Sequence, residues 1–318
     1  MTEFGYWLSS EEHEPLDLVR YARRAEENGF SFAMISDHFH PWIEAQGQSP
    51  FVWSVIGGIA ATTKRIRLGT GVTCPMIRTH PAIVAHAAAT SAAMMGDRFF
   101  LGLGTGENLN EHVTGARWPA PDERIEMLEE SIEVMRLLWQ GGEQTHRGKH
   151  YTVDHARLYT LPDEPPPIAV AAAKPNAAEL AGRLGDAFVS TSPDGEILET
   201  YRSAGGDGPC YGQVRLCWAE AEDEAKQTAF ELLRHTGLGG TVNQELPRPS
   251  DFDAIAESVT LEMATKDLPC GPDPAPVVEQ VHEWEQAGFD HISFHQIGPD
   301  QEGFFRFWEQ ELRPRLTG

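Results

Sequence analysis

The sequence has little positive charge, and this shortage excludes whole classes of partner. Its formal net charge is −23, and only five of its 25 basic residues are lysines. Phosphate backbones and anionic membrane surfaces attract basic proteins, so neither nucleic acid nor a membrane is an expected partner. The shortage of lysine fits either a GC-rich genome or a salt-adapted host, and the sequence does not separate the two.

Cysteines are few, and long apolar runs are missing. Cys74, Cys210, Cys217 and Cys270 are widely scattered without CxxC spacing, so neither a disulfide framework nor a metal site is indicated. The chain contains no run of 18 apolar residues and no basic segment leading into an apolar one, which predicts a cytoplasmic protein. With 41% hydrophobic residues it can bury a large core, and we expect a single domain over residues 1–318.

What the sequence does contain is a regular alternation of strand-like and helical segments. Alternation of this kind implies parallel strands, and eight strands fit an α/β fold, the (β/α)8 TIM barrel with loop insertions, whereas a Rossmann fold needs fewer. The predicted strands are Glu3–Leu8, Phe32–Ile35, Ile66–Val72, Phe99–Leu103, Ile168–Ala172, Ala187–Ser190, Val214–Ala219 and His291–His295. The predicted helices are Glu14–Asn28, Phe51–Thr62, Pro81–Met95, Asp122–Trp139 and Ala177–Leu184.

Two stretches interrupt this alternation. The segment Gly148–Thr160 reads as a hairpin-like insertion that ends in a cluster of prolines. The segment Thr236–Pro276 is rich in proline, glycine and acidic residues. Long late insertions of this type usually cover a site, so we expect the second stretch to act as a lid or substrate loop.

Polar side chains follow four of the predicted strands where each strand ends. Asp37 and His38 follow the second strand, Thr73 the third, Glu107 the fourth and Thr191 the sixth. The carboxyl ends of barrel strands converge on one mouth, where a histidine can take a hydroxyl proton and a carboxylate can act as a general acid. Each residue alone could be a helix cap or a solvated side chain, but we do not expect all of them to be inert.

Glycine and alanine near the same strand ends suggest a ligand-binding surface. Gly102–Gly106 matches a dinucleotide-binding GxGxxG motif only loosely, so it is a weak nicotinamide signal. Its glycines, together with Gly71 and Val72, would allow a flat ligand to approach the backbone. Ala171–Pro175 precedes a helix and could bind phosphate through N–H groups and Lys174, although a plain connecting loop is an equal alternative.

Four segments together resemble the luciferase-like, deazaflavin-dependent oxidoreductases. They are Ser36–Trp42, Leu68–Pro75, Gly104–Glu111 and Ala187–Ser192. The sequence is most similar to the branch that contains F420-dependent glucose-6-phosphate dehydrogenase. The resemblance implies a TIM barrel, a homodimer, and coenzyme F420 lying across the barrel mouth.

The resemblance also implies roles for individual residues. Asp37 would contact the deazaflavin, and His38 would act as the hydroxyl base or stabilise the alkoxide. Trp42 would position the substrate, Glu107 would protonate the deazaflavin, and a cis peptide would lie at Gly71–Val72. The implied cofactor-binding residues are Asp37, Gly71, Val72, Cys74, Gly106, Glu107, Asn110, Ala172, Ala173 and Lys174.

The sequence departs from this branch where the sugar phosphate is held. The matching positions are Asp194, Asn243 and Asp267, none of which is basic, with Lys266 next to the last. A phosphate dianion beside carboxylates is strongly unfavourable. We therefore expect hydride transfer to F420 from the CH–OH group of an unphosphorylated sugar or another alcohol. The predicted substrate-binding residues are Trp42, Thr191, Asp194, Asn243 and Lys266.

Three alternatives remain open from the sequence. A true F420-dependent sugar-phosphate dehydrogenase would reduce F420 with glucose 6-phosphate. An FMN-dependent monooxygenase on the same barrel would be yellow when purified. A non-catalytic binding barrel would tolerate His38→Ala and Glu107→Ala without loss of any turnover.

Overall fold

A closed barrel of eight parallel strands forms the centre of the molecule. The computed structural model describes residues 2–237 and 242–317. Around the barrel the strands follow the order β1-β10-β9-β8-β7-β4-β3-β2, and β5 and β6 form a separate antiparallel pair. The strands are Glu3–Leu8 (β1), Phe32–Ile35 (β2), Arg67–Thr70 (β3), Phe99–Leu103 (β4), Gln144–Arg147 (β5), Thr152–Ala156 (β6), Ile168–Ala171 (β7), Ala187–Val189 (β8), Cys210–Leu216 (β9) and His291–Gln296 (β10).

Helices surround the barrel and also fill the late insertion. The helices that follow barrel strands pack their apolar faces on the outside of the barrel. In chain order the helices are Pro15–Glu27 (α1), Val52–Thr62 (α2), Pro81–Met95 (α3), Asn108–Glu111 (α4), Pro121–Trp139 (α5), Pro175–Leu184 (α6), Gly195–Ser203 (α7), Glu222–Leu233 (α8), Val242–Glu245 (α9), Pro249–Ala256 (α10), Leu261–Thr265 (α11), Ala275–Gln286 (α12), Gln301–Phe307 (α13) and Arg313–Thr317 (α14), of which α9, α10 and α11 belong to the late insertion.

Most barrel strands are largely apolar because both of their faces are buried. In β2, Phe32 and Met34 point into the barrel, while Ala33 and Ile35 pack against the helices outside. A parallel sheet covered on both faces needs such continuous apolar runs instead of alternation. Phe100 and Tyr211 stack inside the barrel with ring centroids 4.9 Å apart, so side chains fill this part of the barrel interior.

The TIM-barrel prediction is confirmed, and all eight predicted strands are present. Some of their boundaries are wrong. The seventh predicted strand, Val214–Ala219, is Cys210–Leu216 in the structure, because Tyr211 and Gly212 already pair with β10. The third, Ile66–Val72, is reduced to Arg67–Thr70, since the chain turns into the mouth at Gly71.

Both predicted insertions contain regular structure. The hairpin prediction Gly148–Thr160 is displaced, because the antiparallel pair is made by β5 and β6, which flank a turn that begins at Gly148. The segment Thr236–Pro276 contains α9, α10 and α11, and residues 238–241 of the predicted lid lie outside the described residues. Within the described ranges, no helix has both the length and the apolar character that a membrane span requires.

Candidate active site

His38 lies in the loop after β2, where Nδ1 is anchored by the backbone and Nε2 faces a carboxylate. Nδ1 lies 3.1 Å from the carbonyl oxygen of His40, and because a carbonyl only accepts, Nδ1 carries the hydrogen. Nε2 lies 3.3 Å from Oε1 of Glu11, whose other oxygen accepts hydrogen bonds from Ser9 at 3.0 Å and Ser36 at 2.7 Å. The positive charge that forms when Nε2 takes a proton is therefore balanced by the carboxylate of Glu11, which two serine hydroxyls hold in place. This arrangement suits a base that takes a hydroxyl proton.

Trp42 forms an aromatic wall beside His38. The two ring centroids are 5.1 Å apart and tilted by 56°. From the other side His235 stacks on Trp42 at 5.5 Å and 11°, and Phe252 meets it edge-on at 5.5 Å. Burial and the positive charge of Arg215 lower the pKa of His235 to about 3, so His235 is neutral at physiological pH. His235, just before the late insertion, and Phe252 within it thus fix the ring that the resemblance predicts to contact the substrate.

Both carboxylate oxygens of Asp37 accept hydrogen bonds from other residues of the protein. Arg78 donates to its Oδ1 at 2.8 Å, and the hydroxyl of Thr73 donates to its Oδ2 at 2.8 Å. The guanidinium of Arg78 also lies 3.5 Å from Glu111, a buried carboxyl whose pKa is raised by burial. Asp37 therefore ties the loops after β2 and β3 together, and any contact with a cofactor would be additional to this role.

Glu107 lies at the start of α4, half-exposed at the mouth. Its Oε2 accepts a hydrogen bond of 3.4 Å from Asn110. The amide oxygen of Asn110 accepts from the backbone N–H groups of Phe39 and His40 at 2.8 and 3.2 Å, so Asn110 links Glu107 to the loop that carries His38. Nδ1 of His40 lies 2.9 Å from the carbonyl oxygen of Leu109, which makes His40 a loop-packing residue.

A second buried carboxylate and histidine pair joins Glu12, after β1, to His295, near the end of β10. Glu12 lies 3.0 Å from Nε2 of His295, and its other oxygen accepts from the backbone N–H of Gly298 at 2.8 Å. Burial alone would raise the pKa of Glu12, but the hydrogen bond and charge of His295 outweigh burial and lower the pKa to about 2. Glu12 is therefore ionised at neutral pH.

A partly exposed apolar wall faces the mouth. Trp7, Val72 and Ala171 form it, and the Gly71–Val72 peptide bond is cis, as the resemblance implied. The glycines beside this wall also lie close to the protein's own side chains. A Cβ on Gly71 would lie 2.5 Å from the Trp7 ring, and one on Gly106 would lie 2.7 Å from the Cys74 sulfur. These glycines make room for the protein's own side chains.

Cys74, Ala172, Ala173 and Lys174 differ in how accessible they are. Cys74 is buried, burial raises the pKa of its thiol, and the sulfur packs beneath Gly106. The N–H of Ala172 donates to the carbonyl of Val189 at 3.0 Å, so it is not available to a phosphate. Ala173 and Lys174 are exposed at the start of α6. Of the predicted phosphate loop, these two residues remain accessible to a ligand.

The predicted substrate-binding residues are not all brought together. Thr191 lines a cavity of about 240 Å³ with Asp267 and Arg215. Asp194 caps α7, where it accepts from the N–H groups of Glu196 and Ile197 at 3.0 and 3.2 Å, and Lys266 is exposed after α11 and does not line the cavity. Asn243 lies half-buried on α9.

Sequence reasoning missed five polar residues at the mouth. The strand-end rule was applied to four strands; applied to the first, seventh and eighth strands as well, it leads to four of these residues, whereas the fifth, Arg78, lies further along the loop after the third strand than the residues that were considered there. They are Glu11, Glu12, Arg78, Arg215 and His295.

Comparisons with known proteins match this chain along nearly its whole length. The model of the luciferase-like monooxygenase family matches residues 1–291. A protein of Beutenbergia cavernae named F420-dependent glucose-6-phosphate dehydrogenase is 34% identical, covering 99% of this chain and 98% of that protein. One of the same name from Nocardia farcinica is 36% identical, with coverages of 99% and 98%. The solved structure of an F420-dependent secondary alcohol dehydrogenase with an F420-acetone adduct superposes with a TM-score of 0.89 at 28% identity, covering 98% of each chain.

Proposed function

The chain belongs to the luciferase-like monooxygenase family and is an F420-dependent oxidoreductase, and we propose that it oxidises the CH–OH group of an unphosphorylated sugar or another alcohol. The observation that carries this proposal is the geometry of His38. Its Nδ1 is anchored by a carbonyl, and its Nε2 lies 3.3 Å from Glu11 and beside the Trp42 ring. A hydroxyl placed against Trp42 would find a proton acceptor there.

The residues at the mouth fit a flat deazaflavin ring. The apolar wall of Trp7, Val72 and Ala171 suits the face of a planar heterocycle, while Glu107 is half-exposed at the rim and suits its polar edge. We propose that this wall and the remaining predicted cofactor-binding residues hold F420, with Lys174 and the N–H of Ala173 near its anionic tail. Bound F420 would supply the acceptor for the hydride that leaves the carbinol carbon.

Alcohol oxidation releases one hydride and one proton, and the chain provides a place for the proton. His38 takes the hydroxyl proton at Nε2, and Glu11 balances the charge of the resulting imidazolium. Glu107, at the start of α4, would pass a proton to the edge of the cofactor, which needs one when it accepts a hydride. Asn110 fixes the spacing between these two loops.

The charge around the substrate side favours an unphosphorylated substrate. Asp267 and Glu283 line the cavity next to Thr191 and outnumber its one lining cation, Arg215, and Asp194 lies exposed at the start of α7. Relatives at 34–36% identity are named for glucose 6-phosphate, so a sugar-phosphate dehydrogenase is the second candidate. An FMN monooxygenase is disfavoured, since those relatives are named for F420; FMN copurifying with the protein would support it.

The direct test of His38 is a matched pair of histidine variants. The protein is mixed with F420 and a panel of alcohols, free sugars and sugar phosphates, and the loss of deazaflavin absorbance is followed. His38→Ala should lower kcat by about 10²-fold to 10⁴-fold, the range of general base catalysis, while F420 still binds. His86→Ala, on the exposed face of α3, is the control. Full turnover by the His38 variant, or reduction of F420 by glucose 6-phosphate above every unphosphorylated compound, would contradict the proposal.

Two further expectations belong to the same proposal. We expect a homodimer of one-domain chains, which sedimentation velocity would show as a single species of twice the chain mass. We also expect the cytoplasm as the location. Fluorescence microscopy of a tagged copy in the source cell would check that expectation.

A further inference from the structure

Arg215 is a cation at the barrel mouth that the reaction described above does not use. It lies near the end of β9 and points to the same side of the barrel as Tyr211 and Gln213, toward the interior. Within the described residues no carboxylate lies within 4 Å of it and no hydrogen bond reaches its guanidinium. Burial lowers its pKa, and no neighbouring carboxylate raises it. In a chain of net charge −23, such a cation without a partner requires an explanation.

The guanidinium remains accessible from a cavity. Arg215, Gln213 and Thr191 line one part of the 240 Å³ space that opens beside the substrate side of the mouth. Arg215 is surrounded by protein but keeps more than a third of its surface accessible to water, which means that it faces the cavity and not the core. A ligand in this space could therefore reach its planar fork.

The cavity lies next to the proposed site of oxidation. The charge of Arg215 acts on His235, and His235 stacks on Trp42 at 5.5 Å, the ring that borders His38. A substrate whose carbinol lies at His38 could thus extend past Trp42 toward Arg215. The opposite side of the mouth, around Val72 and Ala171, is the side assigned to the cofactor.

The charges in the cavity limit what Arg215 can bind. One guanidinium balances one negative charge, and its fork matches a carboxylate with two parallel hydrogen bonds. Asp267 and Glu283 line the same cavity and would repel a second negative charge. The amide of Gln213 and the hydroxyl of Thr191 add uncharged donors. The site is therefore suited to a carboxylate and poorly suited to a phosphate dianion.

We propose that Arg215 binds a carboxylate of the substrate, at the end remote from the hydroxyl that is oxidised beside His38. This inference rests on the proposed function, and it narrows the substrate class to hydroxy acids and sugar acids. Gln213 and Thr191 complete the subsite. The two carboxylates Asp267 and Glu283 make it selective for a single negative charge.

Three sugars that differ only at C6 provide the test. D-glucose, D-glucuronate and D-glucose 6-phosphate carry a hydroxymethyl, a carboxylate and a phosphate on the same ring. Each is titrated into F420-loaded protein, and binding is read from tryptophan fluorescence and turnover from deazaflavin absorbance. We expect glucuronate to bind about tenfold to a hundredfold more tightly than glucose, which is the effect of one charge-assisted bidentate contact. We also expect glucuronate to bind more tightly than glucose 6-phosphate.

Variants of Arg215 assign that preference to the guanidinium. Arg215→Met should bring glucuronate and glucose to within about twofold, and Arg215→Lys should keep part of the preference because the charge remains without the fork. Arg183→Met, on the outer face of α6, is the matched control, since Arg183 pairs with Glu129 at the surface. If the methionine variant does not fold, the Arg215→Lys variant still tests the proposal, because it keeps the charge and removes the planar fork.

Several outcomes would overturn the proposal. The proposal is wrong if glucose 6-phosphate is the tightest ligand or if none of the three sugars binds. It is also wrong if both Arg215 variants keep the full preference for glucuronate, or if they weaken the binding of F420 instead of the binding of glucuronate. Failure of the proposed function is distinguishable from these. In that case glucuronate binding still depends on Arg215, while no compound in the panel reduces F420.

Discussion

Arg78 is the residue on which the arrangement of the loops after β2 and β3 depends. It is largely buried, and its guanidinium lies 2.8 Å from Asp37 and 3.5 Å from Glu111, two carboxylates that are themselves almost fully buried. Two buried carboxylates without a cation would repel each other and remain poorly solvated. Arg78 therefore allows the acidic groups to be placed together at the mouth.

Removing this cation should destabilise the fold. We expect Arg78→Met to lower the free energy of unfolding by about 3 to 5 kcal/mol, the usual cost of leaving a buried charge unpaired. The measurement is the urea midpoint at pH 7. Arg20→Met removes an exposed pair with Asp17 and should change stability by less than about 1 kcal/mol. Equal effects of the two substitutions would show that Asp37 and Glu111 do not depend on Arg78.

Glu12 should give stability a specific dependence on pH. Its folded pKa of about 2 lies below the ordinary carboxyl value of 4.5, because the hydrogen bond and charge of His295 outweigh the effect of burial. Its contribution, on the order of 3 kcal/mol, is present above pH 4.5 and is lost as the pH falls toward 2. Urea midpoints should show Glu12→Gln less stable than wild type at pH 6, and the gap should narrow as the pH falls toward 3. Glu14→Gln, at an exposed position, is the control, and a gap independent of pH would contradict this assignment.

Among the elements, α10 connects the late insertion to the active site. Phe252 is fully buried, packs with Ile43 and Leu109, and meets the Trp42 ring edge-on at 5.5 Å. The insertion is therefore attached to the mouth through apolar packing instead of lying over it as an open loop. The expected lid or substrate loop is, in its described part, a small helical layer that supports Trp42.

Truncation of Phe252 should affect stability and substrate binding together. Phe252→Ala should cost about 3 to 5 kcal/mol through the cavity it leaves, and it should raise KM because Trp42 loses its support. Ile255→Ala, on the exposed face of the same helix, should cost less than about 1 kcal/mol. Denaturant titration and steady-state kinetics check both expectations. A Phe252 variant with unchanged KM would show that α10 does not hold Trp42 in place.

For the whole molecule, the sequence predicted the barrel well because both faces of its strands are buried and read as short apolar runs. The boundaries of β9 were predicted wrongly. Gly212 and Gln213 interrupt its apolar pattern, but their pairing with β10 maintains the strand. Helices α7, α8 and α12 were missed, because their apolar positions are spread over mixed, charged surfaces. The strand-end rule and the resemblance predicted His38 and Trp42 as site residues, and the structure places the two rings side by side. Pairings between distant residues, such as Glu12 with His295, are not visible in a single sequence.

The most direct test of the proposed reaction is the transfer of the carbinol hydrogen itself. The protein is incubated with F420 and either [1-²H]glucose, [1-²H]glucuronate or [2-²H]propan-2-ol, and the reduced coenzyme is examined by mass spectrometry. The account predicts that at least one of these alcohols reduces F420 and that the product carries one deuterium from the substrate. Absence of F420 reduction with all three, or a reduced coenzyme whose added hydrogen comes from water, would contradict hydride transfer at this site.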